Sequence, residues 1–333
     1  MKLLRWMNSG STFLSLENNK GFKLVLSSLG AGIREVVYLG KKMTLSPDCD
    51  SVYQRDKSGF YGKTIGPVAG RLARGHFSPL PLFQLPENEL SEVCLHSETL
   101  NYAFLNFDYL LEVQEGQMDV VFTRHVASSP GYPAEVDVEV RYRLFEDEAR
   151  FELSLKATPS CPAPLHLTNH VYWALGEQSM KDAKVTILAE ETVSYNDRLL
   201  PKKRIKAKGS LDYRKGKPLH EGADAFLGTA LNGIDHAFYC KPNEVGMILE
   251  NAGYRLEIAT SGEGYQVYSL NYPNPKMVYS NGLAPAKNIA VTSEPILDPV
   301  AYKKDFLFDE SKPFETITTF RFSKIEEGET NHD

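Results

Sequence analysis

The chain reads as an all-β protein, a large antiparallel β-sandwich formed by residues 1–333 as a single domain. Three observations carry that reading. Apolar and polar residues alternate with period two in stretch after stretch, and these stretches come in pairs joined by short turn-rich links. No i, i+3, i+4, i+7 stripe runs for long, and 24 glycines and 19 prolines are scattered throughout. Strands in hairpin succession, without regular βαβ alternation, imply antiparallel sheets packed face to face. No repeat at a fixed period and no Ser/Gly- or Pro-rich linker divides the chain.

The expected strands follow in order. Residues 12–16 and 22–27 flank Asn18-Asn19-Lys20-Gly21, and residues 109–113 and 118–124 flank Glu115-Gly116-Gln117. In residues 135–144 (EVDVEVRYRL), Val136, Val138, Val140, Tyr142 and Leu144 share one face and charges the other, because successive strand side chains point to opposite sides. A Glu-Asp-Glu-Ala turn leads into residues 150–156, which resume the alternation. Residues 247–250 and 254–259 flank Asn251-Ala252-Gly253, and residues 314–323 (FETITTFRFS) read as a closing strand.

Composition excludes several classes. Hydrophobic residues make up 42% and charged residues 24% of the 333, ordinary globular values, so disorder is not expected. The formal charge is −6, and the short basic run 202–208 (KKRIKAK) is expected to be a solvated loop face rather than a nucleic-acid surface. Cys49, Cys94, Cys161 and Cys240 lie far apart without C-x-x-C spacing, which argues against a zinc knuckle, a redox motif or a disulfide framework. The start, MKLLRWMNSGSTFLSLEN, lacks a sustained apolar region of the secretory type, and no segment is apolar for long enough to span a bilayer. A cytoplasmic location is expected, with no nucleic-acid or membrane partner; the oligomeric state is not legible.

Chemistry concentrates in residues 162–177 (PAPLHLTNHVYWALGE). Two prolines bring the backbone in extended. Along a strand, His166, Thr168, His170 and Tyr172 point one way, while Leu165, Leu167, Asn169, Val171 and Trp173 point the other. Such a strand walls a polar pocket. His166 and His170 on one face invite a metal reading, but the prolines and the missing glutamate of a His-Glu-x-x-His motif argue against it, so no metal is expected. Four further stretches combine turn residues with functional side chains: residues 66–77 (GPVAGRLARGHF) with Arg71 and Arg74, residues 95–101 with His96, residues 232–238 (NGIDHAF) with Asp235 and His236, and residues 291–302 (VTSEPILDPVAY) with Glu294.

Together these stretches resemble the aldose 1-epimerase (galactose mutarotase) family. The residues that carry the likeness run nearly the full length: 66–77, Leu95-His96, Pro130-Gly131-Tyr132-Pro133 before a charged alternating strand, Leu167-Thr168-Asn169-His170-Val171-Tyr172-Trp173-Ala174-Leu175, Gly233-Ile234-Asp235-His236, and Glu294. The resemblance implies the galactose mutarotase-like sandwich, no metal or cofactor, and interconversion of the α and β anomers of a hexose such as galactose or glucose. It implies His170 as general acid and Glu294 as general base, with Arg71, His96 and Asp235 holding sugar hydroxyls and the ring oxygen.

Those residue types suit the chemistry. Opening a pyranose takes a proton from the C1 hydroxyl and delivers one to the ring oxygen, work for a carboxylate and an imidazolium in one site. A nearby carboxylate is expected to keep His170 protonated near neutrality. Arg71 is expected to supply positive potential for a developing oxyanion, and Asp235 to accept hydrogen bonds from vicinal hydroxyls.

The bland alternatives are a core histidine at 170, a loop cap at 294, a structural ion pair at Arg71, buried packing at His96 and turn chemistry at Asp235. Tyr172 and Trp173 read as pocket wall and core, and His236 has no assigned role. Where the family pattern has Asn before the arginine, two glycines after Leu-His, a later tryptophan, and Thr-Gln after the glutamate, this chain has Gly70, Ser97-Glu98, Phe107 and Pro295-Ile296. These departures keep three other functions open. One is a hexose-phosphate mutarotase using Arg74, another a non-catalytic carbohydrate-binding or sensor protein. The third is a glycoside hydrolase or lyase using carboxylates among Asp235, Glu294 and Asp298.

Overall fold

The alternation of residues 136–145 becomes the strand Val136–Phe145, whose Val136, Val138, Val140, Tyr142 and Leu144 are all buried. The computed structural model describes residues 1–77, 80, 82–89, 92–300 and 306–325. The last two residues of the 291–302 stretch and the end of the chain from residue 326 lie outside the described residues.

Nine strands form one antiparallel sheet, in the order Lys217–Pro218, Lys184–Ile187, Val245–Asn251, Tyr254–Thr260, Phe314–Lys324, Arg150–Pro159, Val136–Phe145, Gln117–Val126, Asp108–Gln114. Four of the expected hairpins are present with the expected turns: Ser11–Glu17 with Phe22–Ser27, Asp108–Gln114 with Gln117–Val126, Val136–Phe145 with Arg150–Pro159, and Val245–Asn251 with Tyr254–Thr260. The closing strand Phe314–Lys324 enters the middle of the sheet, between Arg150–Pro159 and Tyr254–Thr260, so the chain is closed by its own late residues.

A five-stranded sheet of Lys2–Asn8, Ser11–Glu17, Phe22–Ser27, Gly32–Tyr38 and Lys41–Lys42 packs against the nine-stranded one. The layers meet through aromatic rings: Phe22 lies 5.2 Å from Phe322 and 6.1 Å from Phe151, and Tyr38 lies 6.1 Å from Tyr254. The fold is mostly β, with antiparallel sheets packed as a sandwich.

A second five-stranded sheet carries the chemistry. Its order is Pro201–Lys206, Glu191–Tyr195, Asp235–Tyr239, Gly264–Tyr268, Glu294–Pro295. The basic run expected as a loop is the edge strand Pro201–Lys206, where a lysine-rich sequence discourages further strand pairing. Two of its charges are partnered, Arg204 by Asp298 and Glu263, Lys206 by Glu190 and Glu191.

The strand expected through residues 165–173 breaks in two. Thr168–Asn169 pairs with Thr64–Ile65, and Tyr172–Trp173 pairs with Val291–Thr292. The sidedness survives the break. Trp173 is fully buried, packs with its ring tilted 5.2 Å from that of Phe320 of the nine-stranded sheet, and donates its indole N–H to Ser293 Oγ at 2.8 Å. That one residue fastens the middle stretch to the core and, through Ser293, to the neighbour of Glu294.

Gly264 opens the strand that carries Gln266. Its φ is +148°, and a Cβ there would sit 1.9 Å from the Phe238 carbonyl oxygen of the adjacent strand. We expect Gly264→Ala to destabilise the fold by about 3 kcal/mol or more through strain and overpacking, read as a lowered urea midpoint, with Gly10→Ala, where nothing lies within 4 Å, as a strain-only comparison.

Candidate active site

Three neighbouring strands place three polar side chains together. Asp235 faces Tyr268 across one strand pair, and Gln266 faces Glu294 across the next. Residues two apart share a face, so Gln266 and Tyr268 line the same side. The stretch 166–172 supplies the opposite wall of a cavity of about 520 Å³, into which His166, Thr168, His170 and Tyr172 point. The expected face of the broken strand is thus the wall observed.

His170 and Glu294 meet: Nε2 lies 3.5 Å from Oε1, and both side chains are buried. This is longer than a well-formed hydrogen bond, so the two groups face each other without being locked together. Backbone bonds hold the histidine at both ends, its N–H donating to the Lys63 carbonyl and its carbonyl accepting from the Gly62 N–H. Rings surround the imidazole, with Tyr172 at 4.9 Å, His96 at 5.7 Å and Phe60 at 5.8 Å. Among the described residues His170 Nδ1 has no hydrogen-bond partner. Glu294 accepts a hydrogen bond from Thr292 Oγ1 at 3.1 Å, and Thr292 Oγ1 accepts in turn from the Tyr268 N–H.

Burial sets the protonation of this pair. It pulls His170 down to about 4, because a ring enclosed by aromatic neighbours loses the hydration that stabilises its cation. It pushes Glu294 up to about 8, helped by the negative charge of Asp235 and opposed by Thr292 and Arg71. A carboxylate that holds His170 protonated, as expected from the sequence, is therefore not what the free site contains: desolvation outweighs the attraction, and both groups favour their neutral forms. Neutral imidazole with carboxylic acid and imidazolium with carboxylate contain the same protons. Moving one proton across the 3.5 Å gap interconverts them.

His96 adjoins the pair. Its Nδ1 accepts the Gly70 N–H at 3.1 Å, which leaves the proton on Nε2, and burial holds it well below the ordinary histidine range. His96, Ser97 and Glu98 all have positive φ (56°, 60°, 49°), a conformation in which glycines are at ease. This is where the family pattern has two glycines. The departure is accommodated by Ser97, whose hydroxyl accepts from the Val68 N–H and donates to the Val68 carbonyl, both at 2.9 Å, tying the His96 loop to the loop before Arg71.

Arg71 lines the cavity and is also ion-paired, which joins two readings that the sequence set against each other. Its Nη1 lies 3.0 Å from Asp235 Oδ2, and its Nε and Nη2 hold Glu89 at 2.5 and 2.9 Å. Burial opposes its charge, but the two carboxylates outweigh this and keep it protonated. The free positive potential expected of Arg71 is thus largely offset. Asp235 is not engaged in a turn; it opens a strand, and Gln266 Nε2 donates to its Oδ1 at 2.5 Å. His236 points to the other side of that strand, packed against Phe226 and Tyr195.

The remaining candidates are committed to other contacts. His166 is held by the Ala69 and Pro295 carbonyls at 3.3 and 3.2 Å, so it is no metal partner of His170. Among the described residues, the group that could hold a cation is instead His96, His170 and Glu294, with atoms within 4.8 Å of one another. Phe107 is core, Asp298 is tied to Tyr239 and Arg204, and Arg74 is a surface residue paired with Glu92.

A family model described as aldose 1-epimerase matches residues 12–307. The chain belongs to the aldose 1-epimerase family. Over 288 residues it is 28% identical to the aldose 1-epimerase of Escherichia coli K12, covering 78% of each chain. Over 283 residues it is 25% identical to the galactose mutarotase of Homo sapiens, covering 80% of each. It is similar also to the bifunctional protein GAL10 of Kluyveromyces lactis, 24% identical over 291 residues, 81% of this chain and 41% of that longer one. In fold it matches the galactose 1-epimerase structure from Lactobacillus acidophilus with a TM-score of 0.86 at 20% identity, covering 98% and 99% of the two chains. Aldose 1-epimerases are isomerases, and the family acts on aldose sugars.

Several residues of this epimerase-family site were not singled out from the sequence: Phe60, Glu89, Tyr195, Gln266, Tyr268 and Tyr272 also line the cavity. Gln266 and Tyr268 had a signal, since GYQVY alternates and opens on a glycine; Glu89 had none, because its tie to Arg71 is a tertiary contact.

Two outcomes follow. Ser97→Ala strands the Val68 N–H and carbonyl in a buried place, which should cost about 2 kcal/mol in denaturant unfolding. The pair makes stability depend on pH. Glu294 is raised from 4.5 to about 8, so its contribution is complete below about 4.5 and is lost as pH rises through 8; His170, lowered from 6.5 to about 4, contributes fully above 6.5 and loses as pH falls through 4. Between pH 6.5 and 8.5 the wild type should therefore lose melting temperature while Glu294→Gln stays flatter, measured by calorimetric scans across that window.

Proposed function

We propose that the protein is an aldose 1-epimerase that interconverts the α and β anomers of an aldose by opening and reclosing its ring, with His170 as general acid and Glu294 as general base. The observation that carries this reading is the 3.5 Å approach of His170 Nε2 to Glu294 Oε1 inside a buried cavity. In a pyranose the C1 hydroxyl and the ring oxygen are bonded to the same carbon, so the two groups that exchange protons with them must stand close together. These two do.

In the reactive form the shared proton is on His170. The Glu294 carboxylate removes the proton of the C1 hydroxyl while imidazolium Nε2 protonates the ring oxygen, and the C1–ring oxygen bond breaks to give the open aldehyde. The pair is left as neutral histidine and carboxylic acid, the form that burial favours. Rotation about C1–C2 presents the other carbonyl face. Ring closure then runs the same transfers backwards: the ring hydroxyl returns its proton to His170, and Glu294 protonates the carbonyl oxygen. The product is the other anomer and the pair is restored.

The supporting residues have roles consistent with their contacts. His96, neutral with its proton on Nε2, offers a donor beside the pair. Arg71 and Gln266 fix the Asp235 carboxylate, whose acceptor oxygens suit sugar hydroxyls. Phosphorylated sugars suit the cavity less well. Among the described residues Arg71 is its one lining cation besides histidine, and Glu89 and Asp235 already engage it. Arg74, the phosphate candidate, is 69% exposed and paired with Glu92.

Starting from pure α-glucose and α-galactose, polarimetry should show anomer exchange accelerated by the wild type. General acid and base groups contribute about 10²–10⁴-fold each, so His170→Ala and Glu294→Gln should each lose acceleration of that order. Acceleration that persists undiminished in both variants would sink the assignment.

A further inference from the structure

The three large sheets end in six edge strands, and four of these are guarded. Lys41–Lys42, Lys217–Pro218, Pro201–Lys206 and Glu294–Pro295 each carry lysine or proline, and three of the four are only two residues long. Such features discourage a foreign strand from adding to an edge. The other two edges, Lys2–Asn8 of the first five-stranded sheet and Asp108–Gln114 of the nine-stranded one, are seven residues each. Neither holds a proline, and their single lysine stands at the very end of its strand. Of the fifteen large apolar side chains exposed among the described residues, seven lie on these two strands, with Leu4, Met7 and Val113 each more than two-thirds open.

The two strands form one flank of the sandwich. Arg5 Nη1 donates to the Tyr109 hydroxyl at 3.1 Å across the gap between the layers. At one end Ser11, opposite Asn8, donates to Asn106 Oδ1 at 2.9 Å, just before the second strand begins. At the other end Asn18 follows the Glu17 that faces Lys2, and its side chain donates to the Phe145 carbonyl at 2.7 Å. Phe145 faces Gln117, which faces Gln114. The strands therefore run antiparallel, one above the other, with Lys2 at the Gln114 end and Asn8 at the Asp108 end. Residues two apart share a face, so Leu3 and Met7 lie on the side of Arg5, and Leu111 and Val113 on the side of Tyr109, around a seam where the core opens.

We propose that this flank joins two copies of the chain in a twofold dimer, Lys2–Asn8 of each adding to Asp108–Gln114 of the other. A twofold axis along the seam sets each layer of one copy level with the opposite layer of its mate. Both junctions then form together, both are antiparallel, and the assembly closes at two. Charge selects this pairing. Lys2 and Arg5 stand on one strand, Asp108 and Glu112 on the other, so joining like strand to like would gather basic residues at one junction and acidic residues at the other. Crossed pairing sets Lys2 against the partner's Glu112, Leu3 against the partner's Leu111, Leu4 against the partner's Leu110 and Arg5 against the partner's Tyr109. Every inward side chain meets an inward one. Seven residues extend ~23 Å, and two layers ~10 Å apart with their outer side chains are roughly 20 Å thick, so the two copies together would bury about 900 Å². That lies near the lower end of specific interfaces and fits association in the micromolar range.

The test is sedimentation velocity on the full chain from about 1 to 100 µM. Wild type should move from one to two chain masses across that range and go no further. Leu4→Lys and Leu110→Lys, at exposed positions away from the cavity, should each weaken association by about tenfold or more, since each change occurs twice in a twofold dimer. Circular dichroism should show both variants folded as the wild type is. Leu4→Lys combined with Leu110→Glu should recover association, the new charges facing each other at both junctions. A wild type that stays one chain throughout overturns the dimer. So do a dimer indifferent to both single changes, a double variant no better than Leu4→Lys alone, and growth past two chains, which would mean an open array of copies.

Discussion

Between His166 and Trp173 the backbone divides its hydrogen bonds among different neighbours: the loop and short strand at residues 62–69 on one side, and Val291–Thr292 on the other. The general base candidate Glu294 follows two residues after the second partner, and Arg71 follows two residues after the first. A change in the register of this stretch would turn the imidazole of His170 into the core and Trp173 into the cavity, since side chains alternate across the chain. Trp173, packed on Phe320 and bonded to Ser293, makes that slip costly. The sandwich core is in this sense the ruler against which the two reacting groups are set.

The same packing that fixes distance also fixes charge. Enclosing a histidine and a carboxylic acid in aromatic surroundings disfavours both ions, and the pair avoids the cost by sharing its proton in neutral form. The neighbouring Arg71, Asp235 and Glu89 solve the equivalent problem differently, as an ion cluster in which the cation lies between two anions. One buried group thus stays mobile in its protonation while the adjacent one is clamped.

Most of the architecture was legible because strands announce themselves locally. Hairpins at 11–27, 108–126, 136–159 and 245–260 are written in alternation and in turns such as Asn-Ala-Gly, and the structure keeps them. The insertion of Phe314–Lys324 between two such hairpins was not legible, since strand order depends on which edges remain free once others have paired. In the site, His96, His170, Asp235, Glu294 and Arg71 all line the cavity: His170 lies on the polar face of an alternating stretch, and the other four belong to stretches punctuated by turn residues. Glu89 and Phe60 did not stand out: one acts through an ion pair formed across eighteen positions, the other through ring contacts in a loop of unremarkable composition. The protonation of His170 was misjudged for a related reason. A carboxylate nearby can be guessed from a motif, but the degree of enclosure that overrides it belongs to the packed molecule.

The bare Nδ1 of His170 has a consequence of its own. Where a carboxylate or water chain backs an imidazole, a proton arriving at one nitrogen can leave through the other. Here, among the described residues, the ring ends in a cul-de-sac, and its sole outlet is the face it shares with Glu294. A proton taken up by this pair from one point of a bound molecule can be handed back at another across the same 3.5 Å gap. Such an arrangement suits chemistry that moves protons about within one molecule, with nothing added and nothing removed.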